Sequence, residues 1–237
     1  MTDTLNFTFR RLAACVVATF SLSLGGLAIA FGVADLAETS AGVWMREWEK
    51  QGHVSNLEQW NRAFARVNLA RRLNPIDADH SANLGRLMEW LFWHPEARAT
   101  DYGLHRERAA ELYAEAIGKR PTWGYAWAHY AENQFLLGSQ DANFLLALEN
   151  AIVLAPWEPG VQRKVAWIGM ATWDELPDPL RMLVKESIRR SIELDSMTNE
   201  LVRFAAHFEW LDELAPMLKT HAQISTLENV RRHTRLR

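Results

Sequence analysis

The residue types that carry out acid–base, nucleophilic and metal chemistry are present in this chain, but not at the spacings that chemistry needs. The eight histidines are His53, His80, His94, His105, His129, His207, His221 and His233. No two stand four apart, the spacing that puts two imidazoles on one helix face over a zinc ion, and H-E-x-x-H does not occur. The G-x-S-x-G turn, the P-loop and the G-x-G-x-x-G fingerprint are also missing, so acyl transfer and nucleotide binding lack a motif to carry them. The single cysteine, Cys15, forms neither an intramolecular disulfide nor a cysteine-based zinc site. Acids beside indoles are the one catalytic pattern to weigh: Glu89 precedes Trp90, and Asp174 and Glu175 follow Trp173. Paired carboxylates hydrolyse glycosides when the right distance separates them. Acids are equally common on solvated helix faces, and the sequence raises these no higher. The expectation is a chain with no catalytic residue, cofactor or metal, in which His129 is a partly buried packing residue.

The aromatic stretch Lys119–Gly138, KRPTWGYAWAHYAENQFLLG, raises a binding question instead. Trp123, Trp127, Tyr130 and Gln134 lie three or four apart on one helical face; Tyr125, Ala128, Glu132 and Phe135 share another. A helix packed on two sides needs two apolar faces, and large rings fill them with few rotatable bonds. Most of these rings therefore read as packing.

The elements that hold these residues are helices, beginning with an apolar one. Residues 12–34 run without a charge, long enough to cross a hydrocarbon core. Thr19, Ser21 and Ser23 interrupt it mildly, since their hydroxyls can bond back to the helix backbone. Arg10 and Arg11 precede the run and Asp35 and Glu38 follow it, so the positive-inside tendency puts residues 1–11 in the cytoplasm and the rest outside. A cleaved signal peptide, with its small-x-small site at Ala28–Ala30, is the alternative; the length of the run favours an uncleaved anchor. In a Gram-negative bacterium this predicts a single-pass inner-membrane protein with a periplasmic region.

Helical periodicity then continues over about 35–51, 56–73, 78–93, 106–118, 122–137, 141–154, 159–173, 179–194, 198–210 and 211–221. No short run alternates as a strand does, so the fold class is all-α. The net charge of −3 offers no basic face for nucleic acid. Residues 224–237 read as a basic tail.

The helices come in related pairs. ARVNLARRLNP (65–75), AELYAEAIGKRP (110–121) and FLLALENAIVLAP (144–156) each end a helix at a proline, and a second helix bearing aromatics or Leu-Gly follows. This pattern resembles the tetratricopeptide repeat, a helix–turn–helix unit of about 34 residues. Ala63, Val67 and Ala70 fill its small, large and small positions, as do Ala109, Tyr113 and Ala116; Phe144, Leu148 and Ala151 depart at the first. Leu84-Gly85 with Met88 matches the Leu-Gly signature, and Trp127 with Tyr130-Ala131 matches less well. The repeat length varies, with extra residues around 93–103 and 173–179. The resemblance implies an irregular α-solenoid over residues 35–223 whose concave groove grips peptides. It carries over to a protein-binding groove at Arg86, Glu89, Tyr125, Glu132, Phe135, Arg163 and Trp167.

A narrower resemblance adds the anchor, LENAIVLAPWEPGVQ and the W-x-x-L-P-x-x-L run from Trp173 to Leu180. Together these are similar to the VpsP-type polysaccharide biosynthesis proteins, which are encoded with bacterial exopolysaccharide and capsule genes. That implies a membrane-anchored accessory scaffold whose partners are proteins of a polysaccharide polymerisation or export machine. The rival readings are a periplasmic peptide-binding assembly chaperone, like the repeat proteins of cytochrome maturation, and a helical carbohydrate-active enzyme.

Overall fold

A computed structural model of the chain describes residues 2–91 and 102–234, which form eleven α-helices and, among the described residues, no strand. The extra residues expected around 93–103 fall almost wholly outside the described residues.

α1 (Thr2–Gln51) is one continuous helix of 50 residues, about 75 Å at 1.5 Å per residue. The segments read separately as 12–34 and 35–51 belong to this one helix, since no glycine or proline pair, and no cap, interrupts the chain at Ala34-Asp35. Its apolar part, with a mean hydropathy of 2.1, is long and apolar enough to cross a membrane, and none of that stretch is buried. Thr19 and Ser23 donate to the carbonyls of Cys15 and Thr19, both at 2.9 Å, which removes their hydroxyls from the surroundings. Burial starts at Ala34 and recurs at Ala41, Met45 and Trp48, the stripe that packs on α2 (Leu57–Leu73). The helix stops where Gly52, at φ 74, adopts a left-handed conformation that only glycine takes without strain. Asn56 caps α2 by accepting from the N–H groups of Glu58 and Gln59, at 2.7 and 3.2 Å.

The next helices are α3 (Ala78–Leu91), α4 (Tyr102–Lys119), α5 (Gly124–Leu136), α6 (Ala142–Leu154), α7 (Pro159–Ala171) and α8 (Asp178–Ile192). Each packs on its chain neighbour; α5 also packs on α7, and α6 on α8. Three connections repeat one geometry. After α2, α4 and α6 the chain makes a proline turn closed by an i to i+3 bond, from Asp77 to Asn74, Trp123 to Arg120 and Glu158 to Ala155. In two of them the residue six past the proline donates to its carbonyl at 2.7 Å: Trp127 to Pro121 and Gln162 to Pro156.

The small, large and small positions read from the sequence sit in the core. Ala63, Val67, Ala70, Ala109, Tyr113, Ala116, Phe144, Leu148 and Ala151 are all fully buried. Close approach between helices is bought with glycine. A Cβ on Gly85 of α3 would meet the Tyr113 ring of α4 at 2.9 Å, and one on Gly169 of α7 would collide with Val184 of α8.

The aromatic helix is differently placed from expectation. Ala126, Ala128 and Ala131 of α5 are fully buried, while Trp123, Tyr125, Trp127, Tyr130 and Phe135 are only half-buried. The rings roof the core instead of forming its centre, and Tyr125 and Tyr130 pack against both the amino-terminal and the carboxy-terminal apolar clusters.

The carboxy-terminal end also departs from the sequence reading. α9 (Asp195–His207) is followed by the single-turn α10 (Leu211–Leu214), a 3-10 turn at Ala215–Met217 that contains Pro216, and α11 (His221–Thr234). The helix expected at 211–221 is thus broken by proline, and most of the expected basic tail is helix. α11 packs on α9 and buries Leu227 and Gln223. Thr220 and Gln223 cap it reciprocally. The Gln223 N–H donates to the Thr220 hydroxyl at 3.2 Å, and the Gln223 carboxamide oxygen accepts from the Thr220 N–H at 3.1 Å.

Candidate functional site

The odd-numbered helices, with Arg106 of α4 and the α4–α5 turn, line a cavity of about 1160 Å³. Its walls come from α1 (Glu38, Glu49), α3 (Asn83, Arg86, Glu89, Trp90), α5 (Tyr125, His129, Glu132), α7 (Arg163, Lys164, Trp167) and α9 (Phe204). Alternate helices present one face to the same space. Exposed Glu49, Arg120 and Arg163 mark its open side.

A ladder of polar contacts joins these alternate helices along the groove floor. Between α1 and α3, Glu38 lies 2.7 Å from His80 Nδ1 and accepts from the Asn83 amide, and Glu49 pairs with Arg86. Between α3 and α5, both Glu89 oxygens lie 3.0 Å from His129 Nδ1, and Asn133 Nδ2 donates to Glu89 at 2.7 Å. The Tyr113 hydroxyl from α4 stands 3.1 Å from Glu89 and 3.0 Å from His129 Nδ1. Between α5 and α7, Lys164 pairs with Glu132; between α7 and α9, Arg163 Nε donates to Glu200 at 2.6 Å.

Rings cover the ladder. Trp123 stacks on Tyr125 at 5.2 Å, and Tyr125 meets His129 at 4.2 Å. The Arg120 guanidinium lies over Trp123 at 3.7 Å while it donates to Asp79 at 2.8 Å.

The electrostatics follow from burial and neighbours. Burial alone pushes the Glu89 pKa up. The charge and hydrogen bond of His129, the Lys164 ammonium and the Asn133 amide outweigh it and hold the value at about 2. Burial first, and then the Glu89 charge, lift the Tyr113 phenol well above its ordinary value, so it stays a neutral donor. Tyr125 is raised in the same way, chiefly by burial. The floor therefore presents a fixed carboxylate held by neutral and cationic donors.

Of the residues assigned to a groove from the repeat resemblance, Arg86, Glu89, Tyr125, Glu132, Arg163 and Trp167 all line this one cavity. Phe135 is not part of the lining; its ring packs edge-on to Trp167 at 5.0 Å and props it from behind. Asp174 and Glu175 are exposed and lie outside the cavity, so they do not converge with Glu89. His129 is buried, as expected of a packing residue, but its ring is also the hub of the α3–α5 contacts. Lys164 and Asn133 carry no sequence signal, since their partners stand 32 and 44 residues away on other helices. No protein-family model and no curated protein matches the chain.

Proposed function

We propose that this protein is a membrane-anchored scaffold of tetratricopeptide type, with its helical body on the periplasmic side of a bacterial inner membrane. In this reading its groove holds a segment of a partner protein in envelope polysaccharide biosynthesis or export. The observation that carries the binding role is the groove itself: one continuous trough lined by alternate helices, with half-buried rings beside charged groups of both signs. The repeated proline turns, the buried small–large–small positions and the glycine contacts support the repeat assignment. The balance of acids and bases in the lining suits a mixed-charge peptide segment and opposes a polyanion such as nucleic acid. The orientation rests on Arg10 and Arg11 before the apolar run, and the polysaccharide assignment rests on the resemblance of the anchor-plus-repeat sequence.

In-cell photocrosslinking tests this reading. A photoreactive side chain at Trp167 should capture an identified polysaccharide polymerase, chain-length or export subunit. The same group at Met182, exposed on α8 away from the groove, should not. Capture from Met182 alone, or of no envelope protein from Trp167, would overturn it.

A further inference from the structure

The polar ladder repeats a carboxylate–histidine rung, and the two copies differ in one respect. At the α1–α3 rung, Glu38 approaches Nδ1 of His80 while Asp77 approaches Nε2 at 3.8 Å, so the acids sit on opposite sides of the ring. At the α3–α5 rung, Glu89 and Glu132 both face Nδ1 of His129, at 3.0 and 3.9 Å. The three donor atoms lie within 4.8 Å of one another. Donors held about 2.0–2.2 Å from one ion stand about 2.8–3.6 Å apart. His129 Nδ1 is already at that spacing from Glu89 and just beyond it from Glu132, and a shift of about an ångström in the Glu132 side chain brings in the widest pair.

The surroundings match what a metal needs. Asn133 donates to one Glu89 oxygen and Tyr113 to the other, hydrogen bonds of the kind that orient a ligating carboxylate, and the Tyr113 hydroxyl also stands 3.0 Å from His129 Nδ1. The cluster opens onto the groove, which supplies an entry path and room for further ligands. An imidazole with two carboxylates is a donor set for divalent first-row transition ions. Against these, Lys164 already pairs with the Glu132 oxygen that faces His129, so an ion must displace its ammonium.

We propose that Glu89, His129 and Glu132 bind one divalent transition-metal ion on the groove floor, and that the Lys164 ammonium competes with it. This site is independent of whether the groove also holds a peptide. The test is calorimetric titration of Zn²⁺ and of Mn²⁺ into the metal-stripped full chain in detergent, with Co²⁺ absorption as a readout of imidazole–carboxylate ligation. Expected is one ion per chain, weakened at least about tenfold by Glu132→Gln and lost in His129→Ala with helicity retained. Lys164→Met should tighten binding by about tenfold or more, since it removes a cation a few ångströms away. That gain cannot arise from misfolding. A purely structural ion-pair network predicts no stoichiometric ion, and no gain from Lys164→Met. Either result, or equal binding by wild type and His129→Ala through surface histidines, would overturn the site.

Discussion

Gly85 faces the Tyr113 ring so closely that any side chain must displace it. Gly85→Leu therefore overpacks the α3–α4 contact and should lower stability by about 1–3 kcal/mol, read as a fall in the thermal midpoint. Gly118 is the opposite case. It lies exposed in the last turn of α4, and a Cβ there meets nothing within 4 Å. Gly118→Ala should raise stability by up to about 0.5–1 kcal/mol, since alanine loses less backbone entropy in a helix. At this scale the sequence was informative wherever a residue type implied its own burial. Ala63, Val67 and Ala70 were picked out by the repeat resemblance, which sets a small–large–small stripe on one helix face, and all three are buried. The charged partners were not legible. Glu89 and Asn133, or Glu132 and Lys164, become neighbours only when alternate helices are stacked, and no local pattern encodes that register.

At the scale of elements, α11 depends on its cap. Gln223 satisfies the N–H groups of Lys219 and Thr220 and also donates to the Ile192 carbonyl at 3.0 Å from a buried position. Gln223→Ala leaves these groups without that partner and should cost about 1–3 kcal/mol, measured by chemical denaturation and accompanied by loss of amide exchange protection in α11. The T-x-x-Q pattern at 220–223 is a sequence signal for this start; the run of arginines after it masks the helix by its resemblance to a solvated tail. Glu115 ties α4 to its neighbours. It pairs with Arg71 of α2 and Lys119 and accepts from Ser81 of α3. Burial raises its pKa, but the Lys119 and Ser81 hydrogen bonds and the Lys119 and Arg71 charges together bring it below the usual 4.5. The folded state thus binds this proton less readily than the unfolded chain. Its contribution is present above pH 4.5 and fades as the pH falls below that. The thermal midpoints of wild type and Glu115→Gln should differ at pH 7 and converge toward acid, by no more than about 1 kcal/mol for so exposed a pair.

For the whole molecule, the continuity of α1 matters most. The apolar stretch makes no buried contact, yet the same helix, without a break, supplies Ala34, Ala41, Met45 and Trp48 to the first apolar cluster and Glu38 and Glu49 to the groove. Composition separated an apolar run from a folded region but could not show that they share one continuous helix, since a helix needs no signal to continue. Glu38 follows Ala34 by four residues, about 6 Å of helix, so a groove wall begins close to the end of the apolar run. Two truncations divide the roles of α1. Removing residues 1–33 takes away the apolar run, none of which is buried, and the remaining chain should be soluble without detergent, with the thermal midpoint and near-ultraviolet dichroism of the full chain. Removing residues 1–49 strips the α2-facing stripe, including the fully buried Trp48. Losing a buried large side chain alone costs about 3–5 kcal/mol, so that second product should unfold cooperatively at a much lower temperature or aggregate. Equal stability of the two truncations would mean that the carboxy-terminal half of α1 is a tether, and that the first wall of the groove is not part of the folded body.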